Sequence, residues 1–158
     1  MRKVHYLPAL ACSLGLAAQS ALCADAKPSV PAMTYVHVYA DSAGASHFRD
    51  EQLDFTPGRT EETSIHALAA KGRTTLLRLR AGAVEDWHNA PRAWFLIVLQ
   101  GASEVTTSDG EKRQFGPGSL VLLDDTTGKG HRTRAIGTID HVAAVIPIAD
   151  DAPVTGAK

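Results

Sequence analysis

From residue 74 onward the chain breaks into short apolar runs, separated every eight to twelve residues by residues that turn a backbone. The runs fall at 74–80, 94–99, 102–107, 120–123, 131–135 and 138–148. Between them stand Gly82, Asn89-Ala90-Pro91, Gln100-Gly101, Ser108-Asp109-Gly110, Gly116-Pro117-Gly118, the stretch 126–130 and Gly137. Glycine takes positive φ without a Cβ penalty and proline has its φ preset, so each cluster ends an extended segment. Short runs at this regular spacing, with almost no helical periodicity, imply an all-β sandwich or barrel. Asp109-Gly110 lies between two alternating runs and predicts a hairpin with a type I′ turn.

The region before residue 74 is less regular. Residues 33–40 (MTYVHVYA) alternate, with Val36 and Val38 on one face and Tyr35, His37 and Tyr39 on the other, which predicts a half-buried strand. Residues 47–55 form a weaker strand candidate, and Thr56-Pro57-Gly58-Arg59 reads as a turn. Ile65, Leu68 and Ala69 have helical spacing, but the stretch 60–71 is short and is read as irregular. A length of 158 residues suits one domain with a proper core. Apolar residues at 44% and charged residues at 21% place it among globular chains. A formal charge of −1 supplies no electrostatic reason to expect nucleic acid or an anionic membrane as partner.

The N-terminal residues follow other rules. Arg2 and Lys3 precede an Ala- and Leu-rich run from Leu7 to Leu22, and Ala24-Asp25-Ala26 supplies a small-x-small cleavage site. That pattern predicts a cleaved secretory signal over 1–26, a Pro-rich linker over 27–32, a β-domain over 33–149 and a flexible tail over 150–158. The expected compartment is the periplasm or the extracellular space, with no membrane span once the leader is removed. Both cysteines, Cys12 and Cys23, lie in the leader, so the exported protein would contain no disulfide, thiolate nucleophile or Cys-bound metal.

Two segments carry a family resemblance. In the first, Gly82 is followed after five residues by His88, then by Ala90, Trp94 and Gly101. In the second, Gly110 is followed by Gly116-Pro117-Gly118, an apolar run and His131. Both resemble the paired motifs of the cupin family, in which a glycine, a His-x-His pair, a Glu and a further glycine form the first motif. The resemblance spans about residues 82–134. It implies a single cupin-type double-stranded β-helix, a jelly-roll barrel, often with a metal in its pocket. Of the family's ligand positions this chain keeps His88 and His131, and replaces the second His by Ala90 and the Glu by Trp94.

The resemblance implies that His88 and His131 converge in the pocket although 43 residues separate them. A divalent metal there (iron, nickel, manganese or zinc) would need a third ligand, with Asp124 or Asp125 first in line and His37, His47, His66 and His141 behind. Trp94, on a continuing strand, would share the face of His88 and offer a flat apolar wall, while Arg92 at the mouth could grip a ligand carboxylate. Two functions follow as expectations. One is an exported module that binds a small molecule in the barrel. The other is an enzyme, either metal-dependent, such as a dioxygenase or isomerase, or metal-free with His88 or His131 as base and Asp124 or Asp125 orienting it. A homodimer through sheet edges is a further expectation from the family. No phosphate-binding loop and no Gly-x-Ser-x-Gly elbow is present in the sequence.

Overall fold

The computed structural model describes residues 32–149; the expected leader, most of the linker and the tail lie outside the described residues. Twelve strands follow in chain order: β1 (Thr34–Ala40), β2 (Ser46–Gln52), β3 (Thr56–Pro57), β4 (Ser64–Ile65), β5 (Thr75–Leu79), β6 (Val84–His88), β7 (Trp94–Gln100), β8 (Ala102–Thr107), β9 (Lys112–Phe115), β10 (Leu120–Leu123), β11 (His131–Ile136) and β12 (His141–Pro147). There is no helix among the described residues, and hence none long and apolar enough to cross a membrane. Six strands form one sheet in the order β2-β1-β10-β7-β12-β5, and four form a second in the order β6-β11-β8-β9. The hydrogen bonding runs in separate sheets and does not close into one ring of strands.

Alternation along the central strands explains how the sheets stack. On β10, Val121 and Leu123 belong to a buried cluster with Val38, Phe48, Val98 and Phe115, which packs between the sheets. Leu122, fully buried, turns the other way and packs with Tyr35, Leu53, Phe95 and Ile148. The centre of the six-stranded sheet is therefore covered on both faces, which is why β7 is apolar from Trp94 to Val98. Full burial of a side chain such as Leu122 contributes about 2 kcal/mol. Segment 53–70 supplies the outer cover: Leu68 packs on the second cluster and Ala70 bridges to Ile148.

Several expectations need correction. Residues 84–88 and 112–115 are strands that the apolar runs do not announce. Thr56–Pro57 is strand paired with Ser64–Ile65, and the turn lies between them. The hairpin at Asp109-Gly110 forms, but only Gly110 has positive φ, at 95°. Gly110 N–H donates to the Thr107 carbonyl, so the loop is a three-residue turn closed by a left-handed glycine rather than type I′. Asp109 is kept at negative φ by its own side chain, which accepts from Glu111 N–H and the Thr107 hydroxyl. Residues 88–94 are not one continuing strand, since β6 and β7 lie in different sheets.

Candidate functional site

A cavity of about 340 Å³ lies between the sheets, within the range of small-molecule sites. Leu77, Leu96, Val98, Val105, Phe115 and Val145 make its walls apolar. Its polar groups come mainly from β6 and β11 on one side and from β12 on the other.

β6 follows a turn at Gly82, where φ is 77°. It pairs with β11 so that His88 lies opposite His131 and Glu85 opposite Thr133. Three residues of β6 thus span two of β11, a bulge. Strict alternation would send Glu85 and His88 to opposite faces; the extra residue brings both to the cavity. Asp86 and Trp87 face outward and are exposed.

Gly130 makes the meeting of the two histidines geometrically achievable. Its φ is 71°, and a Cβ there would stand 2.1 Å from the His88 carbonyl oxygen. The chain entering β11 therefore lies directly on the backbone of His88, and the two imidazole centroids are 4.6 Å apart. Asn89 ties the same region down, donating from Nδ2 to the carbonyls of Asp125 and Thr127.

The two rings are held differently. His131 is 1% exposed, and its Nδ1 lies 2.8 and 3.0 Å from the carboxylate oxygens of fully buried Asp125. The Ser46 hydroxyl donates to that carboxylate at 3.0 Å. His88 is exposed, and its Nδ1 donates to the Asp86 carbonyl at 2.6 Å. Both partners accept only, so each Nδ1 carries a proton and each Nε2 is the ring nitrogen without a protein partner.

The sequence candidates sort clearly. His88, His131 and Trp94 line the cavity. Asp125 stands behind His131 as its orienting carboxylate. Asp124 turns to the other side, 3.3 Å from His37 Nε2, and plays no part in the pair. His47 bridges Asp41 and Asp109, and His66 Nδ1 donates to the Asp54 carbonyl. Arg92 is exposed and does not line the cavity. Trp94 opens β7, across from Leu123, and its buried Nε1 has no hydrogen-bond partner.

Sequence reasoning missed Glu85, Asn89 and the position of His141. His141 is 3% exposed, lines the cavity, and has a buried Nδ1 without a partner. Burial lowers its pKa below the usual 6.5, against a smaller opposing pull from the Glu85 carboxylate. A local signal for Glu85 existed: Val84 and Trp87 are three apart, a break in period two that marks a bulge.

This donor set does not suit a metal. The imidazoles are close enough to share an ion, but Asp125 is committed to Nδ1 of His131 and Asp124 to His37. Among the described residues no group of three His, Cys, Asp or Glu side chains is arranged to hold one. Two imidazoles do not make the three or four protein ligands that iron and zinc sites use, so the donor set does not fit and no step is routed through a metal.

No protein-family profile and no curated protein sequence matches the chain. Solved structures similar in fold include a cupin domain from Bordetella pertussis, 18% identical over 58% of this chain and 99% of its own, with a TM-score of 0.41. A cupin superfamily protein from Desulfitobacterium hafniense is 15% identical over 60% of this chain and 84% of its own, with the same TM-score of 0.41. The DMSP lyase DddQ from Ruegeria pomeroyi is 23% identical over 51% of this chain, at a TM-score of 0.42. The match covers 40% of the lyase, less than two thirds of its length. These likenesses concern the fold alone, and the assignment rests on the strands themselves. A six-stranded and a four-stranded sheet stacked face to face, with β1 parallel to β10 and antiparallel pairing elsewhere, give this chain an all-β jelly-roll architecture, the one that its motif resemblance to cupins implies.

Proposed function

We propose that this protein is a binding module for a compact, largely apolar molecule that presents a hydroxyl-type group to the paired imidazoles. The observation that supports it most is an apolar cavity lined by two histidines whose Nδ1 atoms are bonded to the protein and whose Nε2 atoms are not. A hydroxyl can donate to an imidazole nitrogen or accept from one, whereas a methyl group would leave both Nε2 atoms unsatisfied. Binding of this kind needs no metal. The leader-like composition of residues 1–26 supports an activity in the periplasm or outside the cell, which N-terminal sequencing of the protein recovered there would check.

The test is titration of the exported protein with 1-hexanol, followed by amide and indole NMR shifts. Saturable shifts at Trp94, His88 and His131 are expected, with Trp94→Ala weakening binding at least about fivefold and His88→Ala changing it less than about threefold. Shifts scattered over the surface, or a larger loss in His88→Ala than in Trp94→Ala, would defeat the proposal.

A second reading has its own support in the buried Asp125–His131 pair. A carboxylate that fixes one tautomer and stabilises an imidazolium is what a general base requires, and Nε2 of His131 would take the proton. In that case Asp125→Asn would abolish turnover while leaving 1-hexanol affinity unchanged.

A further inference from the structure

The cavity has a second polar end. Glu85 and Thr133 lie one register step along β6 and β11 from the histidine pair, roughly 7–10 Å away at ordinary strand rise. His141 faces them from the six-stranded sheet, at the start of β12 opposite Leu79. All three line the cavity.

His141 is out of balance with its surroundings. It is a polar ring buried to 97%, contributed to an apolar cavity, with one nitrogen sealed and unpaired. Burial keeps it neutral, so it has one donor and one acceptor nitrogen. An orphaned N–H costs more than an orphaned lone pair, so the proton belongs on Nε2 and the sealed Nδ1 is the lone pair. Glu85, half-buried across the cavity, accepts only. A donor and an acceptor facing one space without bonding each other call for a group that does both.

Building on the binding proposal above, we infer that Glu85 and His141 form a second subsite for a neutral group that both donates and accepts, a hydroxyl or a primary amide. The ligand class is then an apolar molecule polar at both ends rather than at one. An aliphatic tail would fit the walls but leave His141 and Glu85 unsatisfied, and a carboxylate would meet Glu85 with like charge.

The test compares 1-hexanol with 1,6-hexanediol on the intact chain by the same NMR titration. Burying an unsupported second hydroxyl would weaken the diol by roughly tenfold. With the subsite present, the diol should bind as tightly as the alcohol or up to about threefold tighter. His141→Phe should reverse that order, making the diol roughly tenfold weaker while the alcohol holds its affinity. Glu85→Leu, on an edge strand with a half-exposed side chain, gives the same readout should His141→Phe fail to fold. A wild-type protein that prefers the alcohol tenfold would overturn the second subsite and leave the apolar-cavity proposal standing. So would a diol preference that survives both variants. Failure of both probes to bind would overturn the cavity proposal and this inference with it.

Discussion

His131 and His88 sit ring to ring, yet the regions that hold them are built on opposite plans. The loop 124–130 and β11 hold His131 from behind, through a buried carboxylate, a serine hydroxyl and a glycine pressed on a neighbouring backbone. β6 holds His88 from within, through its own carbonyl two residues earlier, on an exposed edge strand. One imidazole is part of the core, and the other is an attachment to it. The difference teaches that proximity in the site says nothing about shared energetics: removing one ring opens a buried charge, and removing the other opens only solvent.

The largest effect should come from His131→Ala. It strands the Asp125 carboxylate with Ser46 as its remaining side-chain partner, and loss of one member of a buried pair costs about 3–5 kcal/mol. Urea unfolding measures this, and Asp125→Ala in the same chain should return a substantial part of it, as a double-mutant cycle would show. Simple additivity of the two would break the comparison. Gly130→Ala comes next. A Cβ at φ 71° that also meets the His88 carbonyl should cost about 2–3 kcal/mol and erase the NMR contact between the two rings. His88→Ala should cost no more than about 0.5 kcal/mol, because its ring is exposed and bonded only locally. A loss near that of His131→Ala would show that the edge strand is as integral as the loop.

The smallest effect concerns pH and again falls on the loop side. Lys129 N–H donates to the Gly44 carbonyl, and the 41–45 turn is joined to the 107–111 hairpin by His47 between Asp41 and Asp109. Hydrogen bonds from His47 to Asp41 and then Asp109 raise its pKa above 6.5. Its contribution is therefore full below pH 6.5 and disappears as pH rises through the higher folded value. The first cause at Asp41 is the bond from His47, which lowers its pKa below 3.8. That contribution is present above pH 3.8 and disappears as pH falls through the depressed value. His141 works oppositely to His47: its lowered pKa makes folding less favourable as pH falls below 6.5. Denaturation midpoints of His47→Gln against pH should thus lose the decline on the alkaline side, keep the decline just below pH 6.5 that His141 contributes, and weaken the one at lower pH that Asp41 contributes. An unchanged alkaline limb would detach the His47 bridge from stability.

Legibility follows the same divide. The glycines and prolines that end strands are local signals, so the all-β architecture could be read from spacing, and strands at 102–107 and 120–123 fall where the sequence places them. His88 and His131 were legible through the family resemblance, because glycine spacing on either side fixes their register. Asp125 could be nominated only together with Asp124, since neighbours on a chain point apart and the sequence does not say which points inward. Glu85 and His141 were hidden for another reason. One lies on a bulged strand without period-two alternation, and the other reaches the cavity only because β12 pairs with β5 and β7. Such placements belong to the sheet as a whole and not to any window of residues.

The bulge in β6 has a consequence for how this chain can change. A straight strand reads its side chains in a fixed two-step frame, and β6 shifts that frame by one between Glu85 and His88. Deleting a single residue at 86 or 87 would restore the two-step frame, leaving Glu85 two residues from His88 with both still on the cavity face. The outward bulge of β6 can thus shorten by a residue while the cavity walls, its lining carboxylate included, stay as they are.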